Sequence, residues 1–254
     1  MSILNKIEEI LDAMPTIDLE AMNHVRLMRR RDTKYVLSID KLPEILELIK
    51  DDYKVFTLEH VHMQPYETVY FDTPNLMMYY EHHNRRLNRY KVRMRKYVLS
   101  DDSYLEIKFK NNRGETIKKR VKAEMNVKEL NGSNKRFLID NSPYSFDEIN
   151  PALWNRFKRI TLVSKHRPER LTIDLALEFS KAKASDKEKF NQTCIIEVKR
   201  SLDADKSDII DALNTARIKP TGFSKYCMGT VLTKKQVRHN LFKQRLRELG
   251  LYNA

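Results

Sequence analysis

The chain has 254 residues, of which 41% are hydrophobic, so it can bury a real core as one large domain or two small ones, which excludes a disordered chain. Its 48 lysines and arginines against 35 acidic residues give a net charge of +13, which predicts an anionic partner: nucleic acid, an anionic membrane surface or a phosphorylated small molecule. With only five glycines it has no Walker loop or other glycine-rich cradle, so any bound phosphate must be held by side chains.

The two cysteines and the N-terminal residues indicate the cellular compartment in which the protein is expected. Cys194 and Cys227 lie far apart in sequence and outside any C-x-x-C motif, so free buried thiols are expected. The first residues, MSILNKIEEILDAMP, are too acidic for a signal peptide, and no stretch approaches the roughly 18 consecutive apolar residues of a membrane span. We therefore expect a soluble, cytoplasmic protein without a transmembrane segment.

Hydrophobic periodicity predicts the elements in chain order. Apolar residues from Ile3 to Met14 form one helical stripe, ended by Pro15. Residues 29 to 39 predict a strand, after which Asp40 is expected to cap a helix over 41 to 52. Further strands are predicted at 53 to 62, at 66 to 72, three times within 85 to 123, at 169 to 179 and at 192 to 200. Further helices are predicted at 72 to 83 with Asp72 or Thr73 as cap, at 125 to 130 (MNVKEL), at 146 to 162, at 203 to 216 and at 234 to 249.

Several of the predicted strands alternate charged and apolar residues. In YKVRMRKY (90 to 97), cations recur at every second position, which a strand places on one face and a helix would scatter. An amphipathic strand with its charges in water explains any single case, but the pattern recurs in YLEIKFK, IIEVK and LTIDLALEF. The repetition is the signal. The charged positions on these faces include Lys91, Arg93, Arg95, Glu106, Lys108, Lys110, Glu197 and Lys199.

About eight strands with few helices between them predict an antiparallel sheet. Because predicted helices with apolar stripes need an apolar wall to cover, we expect an α+β fold: an eight-stranded antiparallel β-tunnel with a polar, basic lumen, covered by helices. Unpaired desolvated cations cost at least several kcal/mol each, so such a lumen must be wide, wet and occupied by anions. A linear polyanion fits it, and carboxylates facing the same way could hold a divalent ion that bridges phosphates.

Seven segments together resemble one known family. They are TKYVL (33 to 37), YFDTPNLMMY (70 to 79), KVRMRKY (91 to 97), LEIKFK (105 to 110), LTIDLAL (171 to 177), IIEVK (195 to 199) and GFSKYCMG (222 to 229). In this order they are similar to the VTC domain, the polyphosphate polymerase branch of the triphosphate tunnel metalloenzymes. The resemblance assigns 28 to 232 to a VTC-like tunnel domain, 1 to 27 to an N-terminal amphipathic helical segment and 233 to 254 to a C-terminal helix packed on the tunnel.

The resemblance implies an activity and a set of site residues. The activity is transfer of the ATP γ-phosphoryl group to a growing inorganic polyphosphate chain, with a divalent metal (Mn²⁺ or Mg²⁺) as cofactor. It leaves open a membrane-protein partner for handling the product. The implied catalytic residues are Lys34, Arg93, Arg95 and Lys108, and the implied metal ligands are Glu197 and Glu106. The expected phosphate-binding residues are Lys91, Lys110, Lys118, Arg120, Lys165, Arg167, Arg170, Lys199, Ser224 and Lys225, with Lys118 or Arg120 supplying the cation of one strand and Lys165 competing with Arg167 for another role.

Two further departures from the family's pattern bear on the alternatives. Many tunnel enzymes outside this branch carry E-x-E-x-K at the first strand, whereas here Arg30 and Asp32 precede Lys34, which favours the polymerase over a triphosphatase. Gly222 stands where the family can have a further lysine. A non-catalytic polyphosphate- or inositol-phosphate-binding module is the other rival, and nucleic acid is disfavoured because the cations alternate with aliphatic residues and not with exposed aromatic ones.

His60 and His62 share a parity and could ligate a metal. No third ligand is in reach by sequence, so we do not expect a metal site there.

Overall fold

Eleven strands and eight α-helices are assigned in this computed structural model, which describes residues 2–24, 30–125, 131–181, 187–204, 206–234 and 236–251. The strands are β1 (Thr16–Ile17), β2 (Arg30–Ser38), β3 (Tyr53–Phe56), β4 (Gln64–Asp72), β5 (Arg89–Tyr97), β6 (Ser103–Lys110), β7 (Thr116–Lys122), β8 (Asn150–Ser164), β9 (Glu169–Ser180), β10 (Lys187–Phe190) and β11 (Thr193–Ser201). The α-helices are α1 (Ile3–Asp12), α2 (Leu19–His24), α3 (Leu42–Ile49), α4 (Met77–His83), α5 (Gly132–Asn141), α6 (Asp208–Thr215), α7 (Lys225–Thr233) and α8 (Lys243–Glu248). Short 3₁₀ turns occupy Ile39–Lys41, Phe146–Glu148 and Asn240–Phe242.

One sheet orders eight strands as β2-β11-β9-β8-β4-β5-β6-β7, with β1, β3 and β10 attached beside this path. Antiparallel pairings join β2 to β11, β11 to β9, β4 to β5, β5 to β6 and β6 to β7. The predicted α+β class with eight antiparallel strands is therefore confirmed. The chain divides into two compact units: Met1–Pro65 with Phe157–Leu177 and Phe190–Phe223, and Tyr66–Arg156 with Glu178–Lys189 and Ser224–Ala254.

The core of the first unit forms where three helices cover the apolar face of strands. The stripe predicted in the first helix is buried at Ile7, Ile10 and Leu11. It joins the buried side of α3 and α6 and the inward side chains of β2, β9 and β11 in one hydrophobic cluster. In β9, every second residue from Leu171 to Leu175 lies in this cluster. The polar residues between them are thus on the other face, as the alternation predicts.

The core of the second unit lies on the apolar face of β4, β5 and β6. Val92 and Met94 of β5 and Leu105 and Ile107 of β6 are at most 2% exposed and pack in one cluster with residues of α4 and α5. Their positions are the ones that the sequence assigns to the apolar face. The cations of YKVRMRKY consequently share the opposite face.

The predicted helix over 146 to 162 is wrong, because this stretch forms β8. Every second residue from Leu153 to Phe157 is buried, whereas Arg156 and Lys158 are exposed. Apolar residues in this stretch also recur at three- and four-residue spacings, which fit a helical stripe equally well. Pairing with neighbouring strands stabilises the strand over the helix, and a local sequence pattern carries no information about that pairing.

One strand and several helix ends account for the other corrections. The strand predicted over 53 to 62 ends at Phe56. Ser38, and not Asp40, caps the turn before α3, since its Oγ accepts from the backbone N–H of Asp40 at 3.4 Å. The helix predicted over 72 to 83 begins only at Met77, after Leu76 adopts a left-handed φ of 55°. The C-terminal helix predicted over 234 to 249 is reduced to a 3₁₀ turn and α8.

A helix that the sequence analysis does not predict, α7, follows Ser224, whose Oγ accepts from the N–H of Cys227. Of the predicted helix MNVKEL, residues 126–130 lie outside the described residues. Both cysteines are free and buried, which confirms that expectation. Among the described residues, no helix combines the length and the apolar character needed to cross a bilayer.

The buried stripe of α3 gives a stability test with an internal control. Leu46 is 0% exposed and Leu48 is 54% exposed on the same helix. Leu46→Ala leaves a cavity and should lower the free energy of unfolding by about 2 to 5 kcal/mol. Leu48→Ala should change it by no more than about 0.5 kcal/mol. Urea unfolding measures both, and equal losses would contradict this assignment of the core.

Candidate functional site

Strand register places cations from β5, β6 and β7 on one face of the second unit. Arg93 is directly opposite Glu106, which is itself opposite Arg120. One step along, Lys91 is opposite Lys108, which is opposite Lys118. Directly opposite residues of an antiparallel pair share a face. We call these residues, with Arg95, the β5–β7 face.

A buried carboxylate is at the centre of the β5–β7 face. Glu106 is 1% exposed, and its Oε2 accepts from Nε of Arg93 at 2.7 Å and lies 2.6 Å from Nη2 of the same guanidinium. Its Oε1 forms an ion pair with the ammonium group of Lys118. Both carboxylate oxygens are therefore held by cations from the two flanking strands.

The charges of this group shift one another's titration. Burial by itself would raise the pKa of Glu106, but Arg93, Arg95 and Lys118 hold it well below its usual range. Loss of water around the ammonium group lowers the pKa of Lys118 to about 8, although Glu106 opposes this shift. Glu106 thus stays ionised at neutral pH. Lys118 keeps 41% of its side chain exposed, within reach of a ligand.

Two further cations of β5 are held in defined positions. Arg95 is 6% exposed, with Nε 3.4 Å from Thr68 Oγ1 and its guanidinium 5.7 Å from the ring centre of Tyr66. Lys91 donates from Nζ to Oγ of Ser224 at 3.1 Å. Ser224 is the N-cap of α7, and this hydrogen bond places the serine beside Lys91 of the β5–β7 face.

The first unit carries a second cluster, built around Glu197 on β11. Glu197 is opposite Lys34 of β2, and Lys199 is opposite Asp32. The Nζ atom of Lys199 lies 2.7 Å from Glu197 Oε2 and 2.8 Å from Asp32 Oδ2, while Nζ of Lys34 lies 3.5 Å from Glu197 Oε1. Lys34 also donates to the carbonyl of Phe223 at 3.2 Å. We call this group the β2–β11 cluster.

Cations also control the titration of this second carboxylate. Burial would raise the pKa of Glu197, but Lys34 and Lys199, with a smaller effect of Arg159, hold it well below its usual range. Arg170 of β9 lies opposite Lys199, on the same face of the sheet. The cluster therefore combines an ionised carboxylate with several cations.

Arg159 is a candidate site residue that sequence reasoning missed. From β8 it donates to both oxygens of Asp174, with Nε–Oδ1 of 2.6 Å and Nη2–Oδ2 of 2.8 Å. Asp174 is 3% exposed, so the bidentate pair is largely desolvated. Because the sequence analysis predicts a helix for this stretch, it does not assign Arg159 to a face of the sheet. If this stretch is predicted as a strand instead, Arg159 shares a face of the sheet with Asn155 and Phe157 and becomes a candidate.

Some predicted phosphate-binding residues have other partners. Lys165 donates to the carbonyl of Asp51 at 2.8 Å, and Arg167 forms an ion pair with Asp208 of α6. Neither contact involves the β5–β7 face or the β2–β11 cluster. The remaining predicted cations occupy strand ends or packed positions: Lys110 is opposite Arg89, and Arg120 lies over the ring of Tyr104 at 4.6 Å.

The donor atoms decide which carboxylate fits a divalent cation. Glu197 and Asp32 offer carboxylate oxygens around Lys199. Thr172, directly opposite Glu197, has a buried Oγ1 with no hydrogen-bond partner among the described residues. These oxygen donors fit a hard cation such as Mg²⁺ or Mn²⁺. Glu106 fits less well because Arg93 and Lys118 hold both of its oxygens closely, whereas Lys34 approaches Oε1 of Glu197 only to 3.5 Å.

The structure places His60 and His62 in different environments. His60 has a left-handed φ of 63°, whereas His62 is buried with Nε2 3.1 Å from Asp12 Oδ1. Glu8 adds a second carboxylate of α1, and the three ligand atoms lie within 4.8 Å of one another. The structure thus supplies neighbours that the sequence could not, and the His62–Asp12 contact ties α1 to the segment before β4.

Comparison with known proteins identifies the family. The model of the VTC domain matches residues 29–234. The chain therefore belongs to the VTC domain family, which confirms the sequence resemblance. Comparison with curated protein sequences gives no match.

Similar solved structures include three chains. An adenylate cyclase candidate from Vibrio parahaemolyticus is 10% identical, with 79% of this chain and 97% of that one covered and a TM-score of 0.46. One from Bacillus halodurans is 10% identical, with coverage of 89% and 94% and a TM-score of 0.45. An adenylyl cyclase candidate from Hippeastrum, described as having a dominant triphosphatase activity, is 13% identical, with coverage of 81% and 97% and a TM-score of 0.47.

The lowered pKa of Lys118 gives a pH test of the β5–β7 face. Because this lysine is protonated below about pH 8 and neutral above it, its attraction for a polyanion should disappear as pH rises through that value. The affinity for inorganic tripolyphosphate should fall by about tenfold from about pH 7 to about pH 9.

Lys118→Arg is the matched control, since arginine stays protonated over this range. In this variant the affinity should change with pH only through the ionisation of tripolyphosphate itself. Calorimetric measurements of the affinity at each pH would show this. Identical pH profiles for the two proteins would remove Lys118 from the binding face.

Proposed function

We propose that the chain is a polyphosphate polymerase, which transfers the γ-phosphoryl group of ATP to the end of an inorganic polyphosphate chain. The observation that carries this proposal is the β5–β7 face. There the guanidinium groups of Arg93 and Arg95 and the ammonium group of Lys118 surround one buried carboxylate, and Lys91 shares the same face. Membership of the VTC domain family supports the same assignment.

The chemistry requires no side-chain nucleophile. A terminal oxygen of the polyphosphate is already anionic and attacks the γ-phosphorus of ATP, so that a new P–O bond forms while the bond to the β–γ bridging oxygen breaks and ADP leaves. The chain's own residues would hold the two polyanions in line and neutralise charge on the group in transfer. Catalysis is thus a matter of position and electrostatics.

The cations divide this work according to their geometry. Arg93 is fixed by its bond to Glu106 and, with Arg95, is suited to clamp phosphate oxygens through paired N–H groups. Lysines such as Lys34, Lys108 and Lys225 act as point charges. A divalent cation, held by Glu197 with Asp32 and Thr172 nearby, would supply further charge neutralisation between phosphate oxygens.

One contact favours the polymerase over a hydrolase that uses the same residues. At the first of the E-x-E-x-K positions this chain has Arg30, whose Nε lies 3.1 Å from Oδ1 of Asp32. A cation therefore lies where a carboxylate would be, next to the second acidic position. Fewer acidic groups are left to hold metal ions and activate water.

One assay tests the proposal against both rivals. Purified protein is incubated with ATP and Mn²⁺, and the products are resolved on a gel with a polyphosphate stain. Long chains support the polymerase, whereas orthophosphate alone identifies a triphosphatase. No turnover, combined with tight binding of polyphosphate or inositol phosphates, would identify a non-catalytic binding module.

Glu197→Gln tests the proposed metal position. The amide keeps the shape of the side chain but removes the charge that attracts a hard cation. Synthesis should fall by at least about a hundredfold, while the melting temperature and much of the polyphosphate affinity should be retained. Unchanged activity would remove Glu197 from the site.

Arg95→Ala tests the clamp. Losing two charge-assisted hydrogen bonds, each worth about 1.5 to 3 kcal/mol, should slow synthesis by at least about a hundredfold. Arg89→Ala is the control: this arginine begins the same strand with the same parity, but its guanidinium donates to the carbonyl of Arg86. It should change activity only slightly.

Thermal unfolding of both variants completes this test. The fold should survive each substitution. If Arg95→Ala unfolds the protein, or if both variants make and bind polyphosphate normally, these cations serve the structure and not a substrate.

A further inference from the structure

A buried carboxylate outside both clusters fixes the start of two helices. Asp72, the last residue of β4, is 1% exposed. Its Oδ1 accepts from the backbone N–H of Thr73 at 2.8 Å and of Met78 at 2.9 Å, and its Oδ2 accepts from that of Tyr79 at 2.9 Å. These bonds hold the first turn of α4 against the end of β4.

The fourth donor to this carboxylate comes from a segment distant in sequence. The hydroxyl of Tyr226 donates to Oδ2 of Asp72. Tyr226 is 2% exposed and is the second residue of α7, directly after Lys225. Asp72 thereby fixes the first turn of α7 as well as that of α4.

The first turn of α7 also carries phosphate-site residues. Ser224, the N-cap, accepts both from the N–H of Cys227 at 3.2 Å and from Nζ of Lys91 at 3.1 Å. The chain from Ser224 to Tyr226 thus runs from the β5–β7 face to the buried carboxylate within three residues. A shift at one end must move the other.

The same tyrosine contacts a residue that lies beside Arg93. Its ring centre lies 5.2 Å from that of Tyr70, which is opposite Arg93 in the strand register and hydrogen-bonds to it. Tyr226 therefore contacts a side chain that holds Arg93, and it follows Ser224 by two residues in the chain.

We propose that Asp72 and Tyr226 are positioning residues that set Ser224 and Lys225 against Lys91 for phosphate binding. This proposal rests on the phosphate-binding role of the β5–β7 face. A buried hydroxyl–carboxylate bond with three further backbone donors is short-range and directional, so it defines one orientation of the helix start. Without it, Ser224 and Lys225 lose their fixed distance from Lys91, and small displacements of binding groups are costly.

The test is a double-mutant cycle on the affinity for inorganic tripolyphosphate, measured by calorimetry without nucleotide. Tyr226→Phe removes only the hydroxyl, and Ser224→Ala removes the residue through which it acts. Tyr226→Phe should weaken binding roughly tenfold. Because Tyr226 acts partly through Ser224, the loss of affinity in the double variant should be smaller than the sum of the two single losses. Tyr79→Phe is the control, since that hydroxyl donates to the carbonyl of Arg238, and it should keep the wild-type affinity.

Melting temperatures separate positioning from loss of fold, because a purely structural defect would lower the melting temperature without coupling to Ser224. If Tyr226→Phe is unfolded at the assay temperature, Asp72→Asn replaces it in the same cycle, and the same non-additive loss is expected. Wild-type affinity in a folded Tyr226→Phe, or additive losses, would overturn the positioning role alone. Absence of tripolyphosphate binding by the wild-type protein would overturn the proposed function and this role with it.

Discussion

Glu106 of the β5–β7 face and Glu197 of the β2–β11 cluster are each compensated by cations from their own or a neighbouring strand, and the arrangement around each carboxylate depends on this constraint. Removing an ion from water costs several kcal/mol unless oppositely charged groups and hydrogen bonds replace the water. Glu106 meets this requirement through Arg93 and Lys118, and Glu197 through Lys34 and Lys199. The carboxylates in turn keep clustered cations in defined positions, ready for a polyanion.

The alternation of residues was sufficient to predict which side chains share a face. A strand has a period of two, and Val92, Met94 and Ile107 can reach a hydrophobic core only if Arg93 and Arg95 point the other way. That inference needs only local sequence. It also led to the family, because the fragments that carry the resemblance are mostly these strands.

Contacts between distant segments could not be predicted in this way. The register places Glu106 opposite Arg120 and diagonal to Lys118, with which it forms its ion pair, and it places Glu197 opposite Lys34. A local sequence pattern does not contain this register. The bond between Tyr226 and Asp72 could not be predicted either, because it joins residues that are separated by more than half of the chain. Arg159 was missed because the spacing of apolar residues around it fits two periods.

The opposition of Lys91, Lys108 and Lys118 across three adjacent strands has a consequence for the protein without its ligand. Like charges directly opposite each other destabilise a sheet, and the contacts of Lys91 with Ser224 and of Lys118 with Glu106 counteract this repulsion. Multivalent anions that occupied this row would stabilise the native chain further. A preparation in phosphate buffer and one in a dilute monovalent salt would then differ in heat resistance although their covalent structure is the same.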